Sequence, residues 1–258
     1  MRAPGEILPV WHKFDDFPME TLTKAWYYSQ ATRPRQRPVP LMEEHRARLG
    51  TSGNCFDLAI WLLHEFGKAG VHAYAIGHGL GTPDAHVAVV AVSGFGHRYL
   101  CDLGDQWIQP VLIDPAHGDF SSEELGGFFP GARIRVHSRP GQCEVTYLRP
   151  GGKTSRQVYD LAPVEKSFLM GAAEYSQNLL RHALCEMRIR MGNEVVHWEF
   201  GRWRSWFSTN SGLTEELGCR DLDEWCDRIH ARSGVSKDVV RAALDVYRER
   251  GGVVTWAL

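Results

Sequence analysis

Three residues of this chain could form a thiol-based catalytic set: Cys55, His86 and Asp102, in that order. A thiol is only partly ionised near neutrality, so a nucleophilic cysteine needs a base within hydrogen-bond reach. That base in turn needs a carboxylate that fixes its tautomer and steadies its charged form. Six cysteines and twelve histidines in 258 residues make such combinations easy to assemble, so position must decide. Cys55 follows a tight polar turn, Thr51-Ser52-Gly53-Asn54, and opens a stretch in which Cys55, Leu58, Ala59, Leu62, Leu63 and Phe66 recur at helical spacing. Asn54 suits the N-cap, Asp57 stands where an acid can bond back to the cap, and Gly67 and Gly70 supply a stop. A thiol at such a helix start faces unpaired N–H groups and the positive end of the helix dipole, which favour thiolate. The competing reading is a small buried hydrophobe at the end of a core helix.

The other two residues need a hairpin to meet. Residues 86–92 and 98–103 read as strands and residues 93–97 as the turn between them. If all five residues 93–97 form the loop, 92 pairs with 98, 88 lies opposite 102, and Asp102 becomes a same-face diagonal neighbour of His86. A four-residue loop without a bulge puts them on opposite faces. Taken alone, His86 also fits an ordinary strand histidine, and Asp102 a turn cap before Gly104.

Residues 1–50 read as helical pieces broken by prolines, with one helix over 19–30 through Leu22, Ala25, Trp26 and Ser29, and another over 41–49. The basic run Arg33-Pro34-Arg35-Gln36-Arg37-Pro38 reads as a linker before it reads as a docking patch. Beyond the Cys55 helix, residues 71–76 form a strand, and Gly77-His78-Gly79-Leu80-Gly81 a loop without the helix that a nucleotide-binding loop requires. Further strands fall near 104–113, 134–136, 142–148 and 157–161, a pattern of short strands that suits a small barrel or a strongly curved sheet. Residues 164–176 are mixed or helical. A second hairpin spans 184–191 and 194–200 around Gly192-Asn193, and two amphipathic helices follow, the last capped by Ser236 and stopped by Gly251.

With 43% hydrophobic and 23% charged residues the chain is of ordinary globular composition, and a net charge of -2 gives no reason to expect nucleic acid or an anionic membrane as partner. The cysteines form no C-x-x-C pair and are too sparse for a disulfide scaffold; without an apolar leader or an 18-residue apolar window, the expected setting is a reducing cytoplasm. No metal is expected, since Asp84-x-His86 and the scattered cysteines lack ligand spacing.

On these residues the sequence resembles the arylamine N-acetyltransferases, within the wider transglutaminase-like cysteine enzymes. The family pattern is Arg-Gly-Gly-x-Cys-x-Glu at the nucleophile, a histidine opening the next-but-one strand, and Asp-x-Gly soon after. Here it reads Thr51-Ser52-Gly53-Asn54-Cys55-Phe56-Asp57, then Ala85-His86-Val87, then Asp102-Leu103-Gly104. The segment from Gln106 to Leu112, Tyr159-Asp160-Leu161 and the hairpin over 184–200 also look like later family segments, so the similarity covers residues 40–230. The resemblance implies an α/β (α+β) fold in three parts: a helical part over 1–70 carrying the nucleophile, an antiparallel β-barrel over 71–162 carrying His86 and Asp102, and an α/β lid over 163–258. It implies ping-pong acyl transfer from acetyl-CoA or another acyl thioester, through an acyl-cysteine, to a small amine, with no permanently bound cofactor. Catalytic roles fall on Cys55, His86 and Asp102, and substrate contacts on Gly53, Asn54, Gly104 and Trp107. Thr51-Ser52 in place of Arg-Gly, Asp57 in place of glutamate, and a short loop at Asp105-Gln106 depart from the pattern and leave room for another donor, including an acyl carrier protein. The rivals are a transglutaminase- or peptidase-like hydrolase using the same triad, and a non-catalytic binding module with an inert Cys55.

Overall fold

A computed structural model describes residues 3–28 and 34–250. In chain order the elements are α1 (Leu8–Trp11), β1 (Met19–Glu20), α2 (Leu22–Tyr28), α3 (Val39–Leu49), α4 (Cys55–Lys68), β2 (His72–His78), β3 (His86–Val92), β4 (Arg98–Cys101), β5 (Val111–Leu112), β6 (Leu125–Phe129), β7 (Ala132–Arg139), β8 (Gln142–Leu148), β9 (Thr154–Asp160), α5 (Lys166–Asn178), β10 (Leu184–Met191), β11 (Glu194–Gly201), β12 (Arg204–Thr209), β13 (Gly212–Glu215), α6 (Leu222–Ser233) and α7 (Lys237–Glu249). No helix among the described residues is long and apolar enough to cross a membrane.

Eight strands form one antiparallel sheet in the order β5-β4-β3-β2-β9-β8-β7-β6, and five form a second in the order β1-β10-β11-β12-β13. The eight-stranded sheet is barrel-like. Its two ends approach each other where the Ile108 N–H, just before β5, donates to the Phe128 carbonyl of β6 at 2.8 Å, and the Gln109 side chain donates to the Gly127 carbonyl at 2.8 Å. The apolar face of α4 lies on β2 and β3, with Leu58, Leu62 and Phe66 fully buried against Ile76, Val87 and Val89. The helix starts where the sequence places it: Asn54 Oδ1 accepts from the Phe56 and Asp57 N–H groups at 3.0 and 3.3 Å, and Asp57 Oδ2 accepts from the Asn54 N–H at 3.2 Å. This reciprocal cap satisfies three backbone donors that the helix itself leaves without partners.

The β3–β4 hairpin has the five-residue connection that the chemistry requires. Val92 pairs with Arg98, Val90 with Leu100 and Val89 with Cys101, which continues to Ala88 opposite Asp102. The helix expected over 19–30 is shorter: Met19 and Glu20 pair with Glu186 and Cys185 of β10, α2 begins at Leu22, and Ser29 lies outside the described residues. Residues 77 and 78, expected in a loop, extend β2, because His78 pairs with His86. Strands β6, β12 and β13 had no sequence signal; β6 contains Gly126-Gly127, and the latter pair offer short runs that are mostly half-buried or exposed. Gly251, the expected stop of the final helix, lies outside the described residues.

A second core joins α2 to the C-terminal sheet and helices. Leu22 and Ala25 of α2 are buried with Trp198, Phe200, Trp225, Ile229 and Leu244 of the C-terminal elements, and Tyr247 donates to the Thr21 carbonyl at 2.9 Å. Part of the first seventy residues therefore packs with the C-terminal sheet and helices.

Candidate active site

Cys55, His86 and Asp102 meet between α4 and the β3–β4 hairpin. His86 Nε2 lies 2.6 Å from Asp102 Oδ2, and Cys55 Cβ and His86 Cε1 pack against the same glycine, Gly104. Tyr159, fully buried on β9, donates its hydroxyl to the same Asp102 oxygen at 2.7 Å, and burial followed by the Asp102 charge keeps this phenol's pKa well above its ordinary value. Asp102 is thus held from two sides.

A second carboxylate stands beside the pair. Asp105 Oδ1 is 4.0 Å from His86 Nε2, and Asp105 Oδ2 accepts from the Tyr147 hydroxyl at 2.9 Å. Burial, then repulsion from Asp102, push the Asp105 pKa up to about 6, against the pull of His86 and the Tyr147 bond. Burial opposes the charged form of His86. The carboxylates of Asp102 and Asp105, together with the bonds to Asp102 and Cys55, more than reverse it and hold the imidazole well above its ordinary pKa. The ring is therefore built to carry a proton.

Cys55 differs from the other five cysteines in access. It is partly exposed, whereas Cys101, Cys143, Cys185, Cys219 and Cys226 are buried, and burial raises the pKa of each, Cys143 to about 12 and Cys226 to about 11. Around it the backbone is tightly fitted. A Cβ on Gly104 would lie 2.6 Å from Cys55 Cβ and 3.0 Å from His86 Cε1. Only glycine leaves room there for thiol and imidazole together.

The loop from Asp102 to Trp107 is tied down from outside the hairpin. Gln106 takes a left-handed backbone, φ 57°, and is fully buried; its side chain donates to the Phe17 and Leu103 carbonyls at 3.3 and 3.1 Å and accepts from the Arg188 N–H at 3.2 Å. Such a conformation is costly for a residue with a side chain and persists where neighbours over-determine it. Arg188, buried in β10, also donates to the Trp107 and Phe14 carbonyls.

The turn before the nucleophile rests on buried charge. Asp57 accepts from Gln36 and Gln177 at 3.3 and 2.8 Å and pairs with the Arg37 guanidinium at 3.4 Å, both charges being almost wholly buried. Arg37 also donates to the Ser52 carbonyl at 3.3 Å, and Glu174 on α5 accepts from the Arg35 and Gln36 N–H groups at 3.1 and 2.8 Å. The basic proline-rich run is therefore not a solvated linker: it delivers Gln36 and Arg37 beneath the active turn, while Arg33 lies outside the described residues. On the other side the buried Glu20 carboxylate accepts from the Gly53 and Ser52 N–H groups at 2.7 and 3.2 Å.

Of the expected substrate contacts, Gly104 forms a wall of the site, against both thiol and imidazole. Gly53 and Asn54 are buried and occupied internally, Gly53 with Glu20, and Asn54 with the helix cap, Ser176 and Gln177. Trp107 is a correction: it is fully buried against Phe129 and Tyr147, because the chain turns inward after Gln106, and it supports the barrel instead of facing a ligand. A cleft of about 500 Å³ lies between the barrel and the second sheet, lined by Phe129, Arg149, Lys153, His197, Glu199 and Trp206.

The fold defined by this barrel, helix-borne thiol and C-terminal sheet is that of the arylamine N-acetyltransferases. The structure superposes on the Mycobacterium marinum arylamine N-acetyltransferase solved in complex with CoA at TM-score 0.71 and 10% identity, over 93% of this chain and 90% of that one. The enzyme from Salmonella typhimurium gives TM-score 0.68 at 12% identity, over 92% and 89%. A Bacillus cereus arylamine N-acetyltransferase, described as having a unique Cys-His-Glu catalytic triad, gives 0.64 at 12% identity, over 91% and 92%. No protein-family model and no curated protein sequence matches the chain. At these identities the likeness is one of fold.

Proposed function

We propose that the chain is a cysteine-dependent acyltransferase that moves an acyl group from a thioester donor to an amine through an acyl-Cys55 intermediate. The observation that carries this reading is the convergence of a partly exposed thiol at a helix start with the His86–Asp102 pair, Cys55 and His86 packing against the same Gly104. In the first half-reaction the Cys55 sulfur attacks the thioester carbonyl, the new S–C bond replaces the donor's S–C bond, and the departing thiolate takes a proton from the His86 imidazolium. In the second, His86 accepts a proton from the attacking amine and returns it to the Cys55 sulfur as the amide leaves. Asp102, fixed by Tyr159, orients the ring throughout. The Cys55 N–H, the first of α4, has no hydrogen-bond partner among the described residues and can donate to the tetrahedral oxyanion.

The fold shared with an enzyme solved with CoA favours acetyl-CoA or a related thioester as donor, used as co-substrate with no resident cofactor. Arg149 and Lys153 in the cleft of about 500 Å³ supply positive charge for an anionic donor, and Arg149 stacks over Tyr147, the partner of Asp105. Incubation with acetyl-CoA and a panel of aromatic amines tests the reading by product analysis. Amide formed by the native chain and lost in Cys55→Ala and His86→Gln supports it; free carboxylic acid as the sole product, unaffected by amine, assigns the triad to a hydrolase.

A further inference from the structure

The two carboxylates beside His86 are built alike. Asp102, just after β4, is fully buried; its Oδ2 lies 2.6 Å from His86 Nε2 and accepts the Tyr159 hydroxyl at 2.7 Å. Asp105, three residues on, turns its Oδ1 toward the same ring nitrogen at 4.0 Å, while its Oδ2 accepts the Tyr147 hydroxyl at 2.9 Å. The two tyrosines stand on the neighbouring strands β8 and β9. The Asp105 N–H donates to Asp102 Oδ1 at 3.0 Å and joins the pair. Each carboxylate is thus pinned by a phenol and directed at one nitrogen.

The backbone fixes where Asp105 stands. Gln106, next in the chain, keeps its left-handed backbone through bonds to Phe17, Leu103 and Arg188, and the Trp107 N–H donates to the Asp102 carbonyl at 3.2 Å. Among the described residues Asp105 Oδ1 accepts no hydrogen bond, and the side chain is 33% exposed where that of Asp102 is wholly covered. Oδ1 therefore has the freedom to close on Nε2 while Oδ2 stays with Tyr147. The remaining groups that face the cluster are the Cys55 thiol, His78 of β2, with its ring centroid 5.9 Å from that of His86, and Glu186 of β10. Glu186 repels Asp105 but is itself paired with His197 at 3.1 Å.

We propose that Asp105 is a second positioning carboxylate for His86, sharing Nε2 with Asp102, so that the imidazolium keeps an anionic partner when the Asp102 charge is removed. The role of this reserve in turnover rests on the acyl-transfer reading, whereas the sharing itself can be tested without turnover.

NMR of the chain with isotope-labelled histidine follows the protonation of His86, and an Asp→Asn change removes charge while keeping side-chain shape. Asp102→Asn is expected to leave the His86 titration above the ordinary value of 6.5, and Asp102→Asn/Asp105→Asn to bring it to that value or below. The fall caused by Asp105→Asn is expected to be larger by about one pH unit, tenfold in protonation, without the Asp102 charge than with it. Equal falls in both backgrounds make Asp105 an independent charge and overturn the sharing, as does a titration at or below 6.5 in Asp102→Asn alone. Thermal melts confirm that each variant is folded. Should Asp102→Asn not fold, Asp105→Glu, which extends the carboxylate by one methylene toward Nε2, is expected to raise the His86 titration in the otherwise native chain; no rise overturns the sharing. In amide formation, Asp102→Asn is expected to lose about a hundredfold in kcat/KM and the double variant about 10⁴-fold, the cost of a triad carboxylate that nothing replaces. The full loss in Asp102→Asn alone overturns the reserve. A chain that forms no amide from any thioester contradicts the acyl-transfer reading, while the titrations still decide the sharing.

Discussion

At the scale of single residues, the site depends on what fits between Cys55 and His86. Gly104 is the critical case, since any side chain there overlaps the Cys55 Cβ at 2.6 Å and crowds the imidazole. Gly104→Ala is expected to reduce the acylation rate of Cys55 about a hundredfold, the scale of an ångström's displacement of reacting groups, with the melting temperature shifted far less. Unaltered acylation kinetics in single turnover would show that the thiol and imidazole need not meet as described. Asp105 governs pH dependence. Because its carboxyl titrates near about 6, its charge beside His86 is lost as the pH falls through that value. The acid limb of kcat/KM is expected to include this ionisation and to lose it in Asp105→Asn, in which the His86 pKa also falls. The stability sign is separate: a carboxyl raised from 3.8 to about 6 favours the folded state fully below 3.8, and that contribution is lost as pH rises from 3.8 to about 6. Between those values, Asp105→Asn should show a flatter decline of unfolding free energy with rising pH.

At the scale of elements, the spacing of apolar residues gave α4, its cap and both hairpins away, because each is specified by neighbours within a few positions. Period-two geometry made the meeting of His86 and Asp102 conditional on an odd turn, and the five-residue connection at 93–97 meets that condition. What surrounds them was not legible. Arg37 stands in a basic, proline-rich run that reads as solvated, yet its partner Asp57 lies twenty residues on, and nothing in local pattern announces a buried pair across that separation. Glu20, Tyr159 and Arg188 were missed for the same reason: each acts through contacts distant in sequence. Trp107 was misread because an aromatic residue beside a site looks the same whether it lines the site or supports it. Arg37→Met should therefore cost about 3–5 kcal/mol by leaving Asp57 charged, buried and without its cation. Urea unfolding measures this, and a loss under about 1 kcal/mol, the range of exposed pairs, would show that the pair is solvated.

At the scale of the whole molecule, the site lies where three pieces of the chain converge: α4 brings the thiol, the barrel brings the imidazole and carboxylates, and α5 with β1 and β10 braces the turn between them. The bonds that hold Gly53 and Asp57 come from Glu20, Gln36, Arg37 and Gln177, so Thr51-Ser52 can stand before the nucleophile as long as those supports remain. Intact-mass spectrometry of the native chain mixed with an acyl-CoA, followed by addition of an amine, tests the account most directly. It predicts a single acyl adduct on Cys55 that disappears when amine is added, does so slowly in His86→Gln, and never forms in Cys55→Ala. An adduct on any other residue, or one on Cys55 that forms at the same rate without His86, would contradict it.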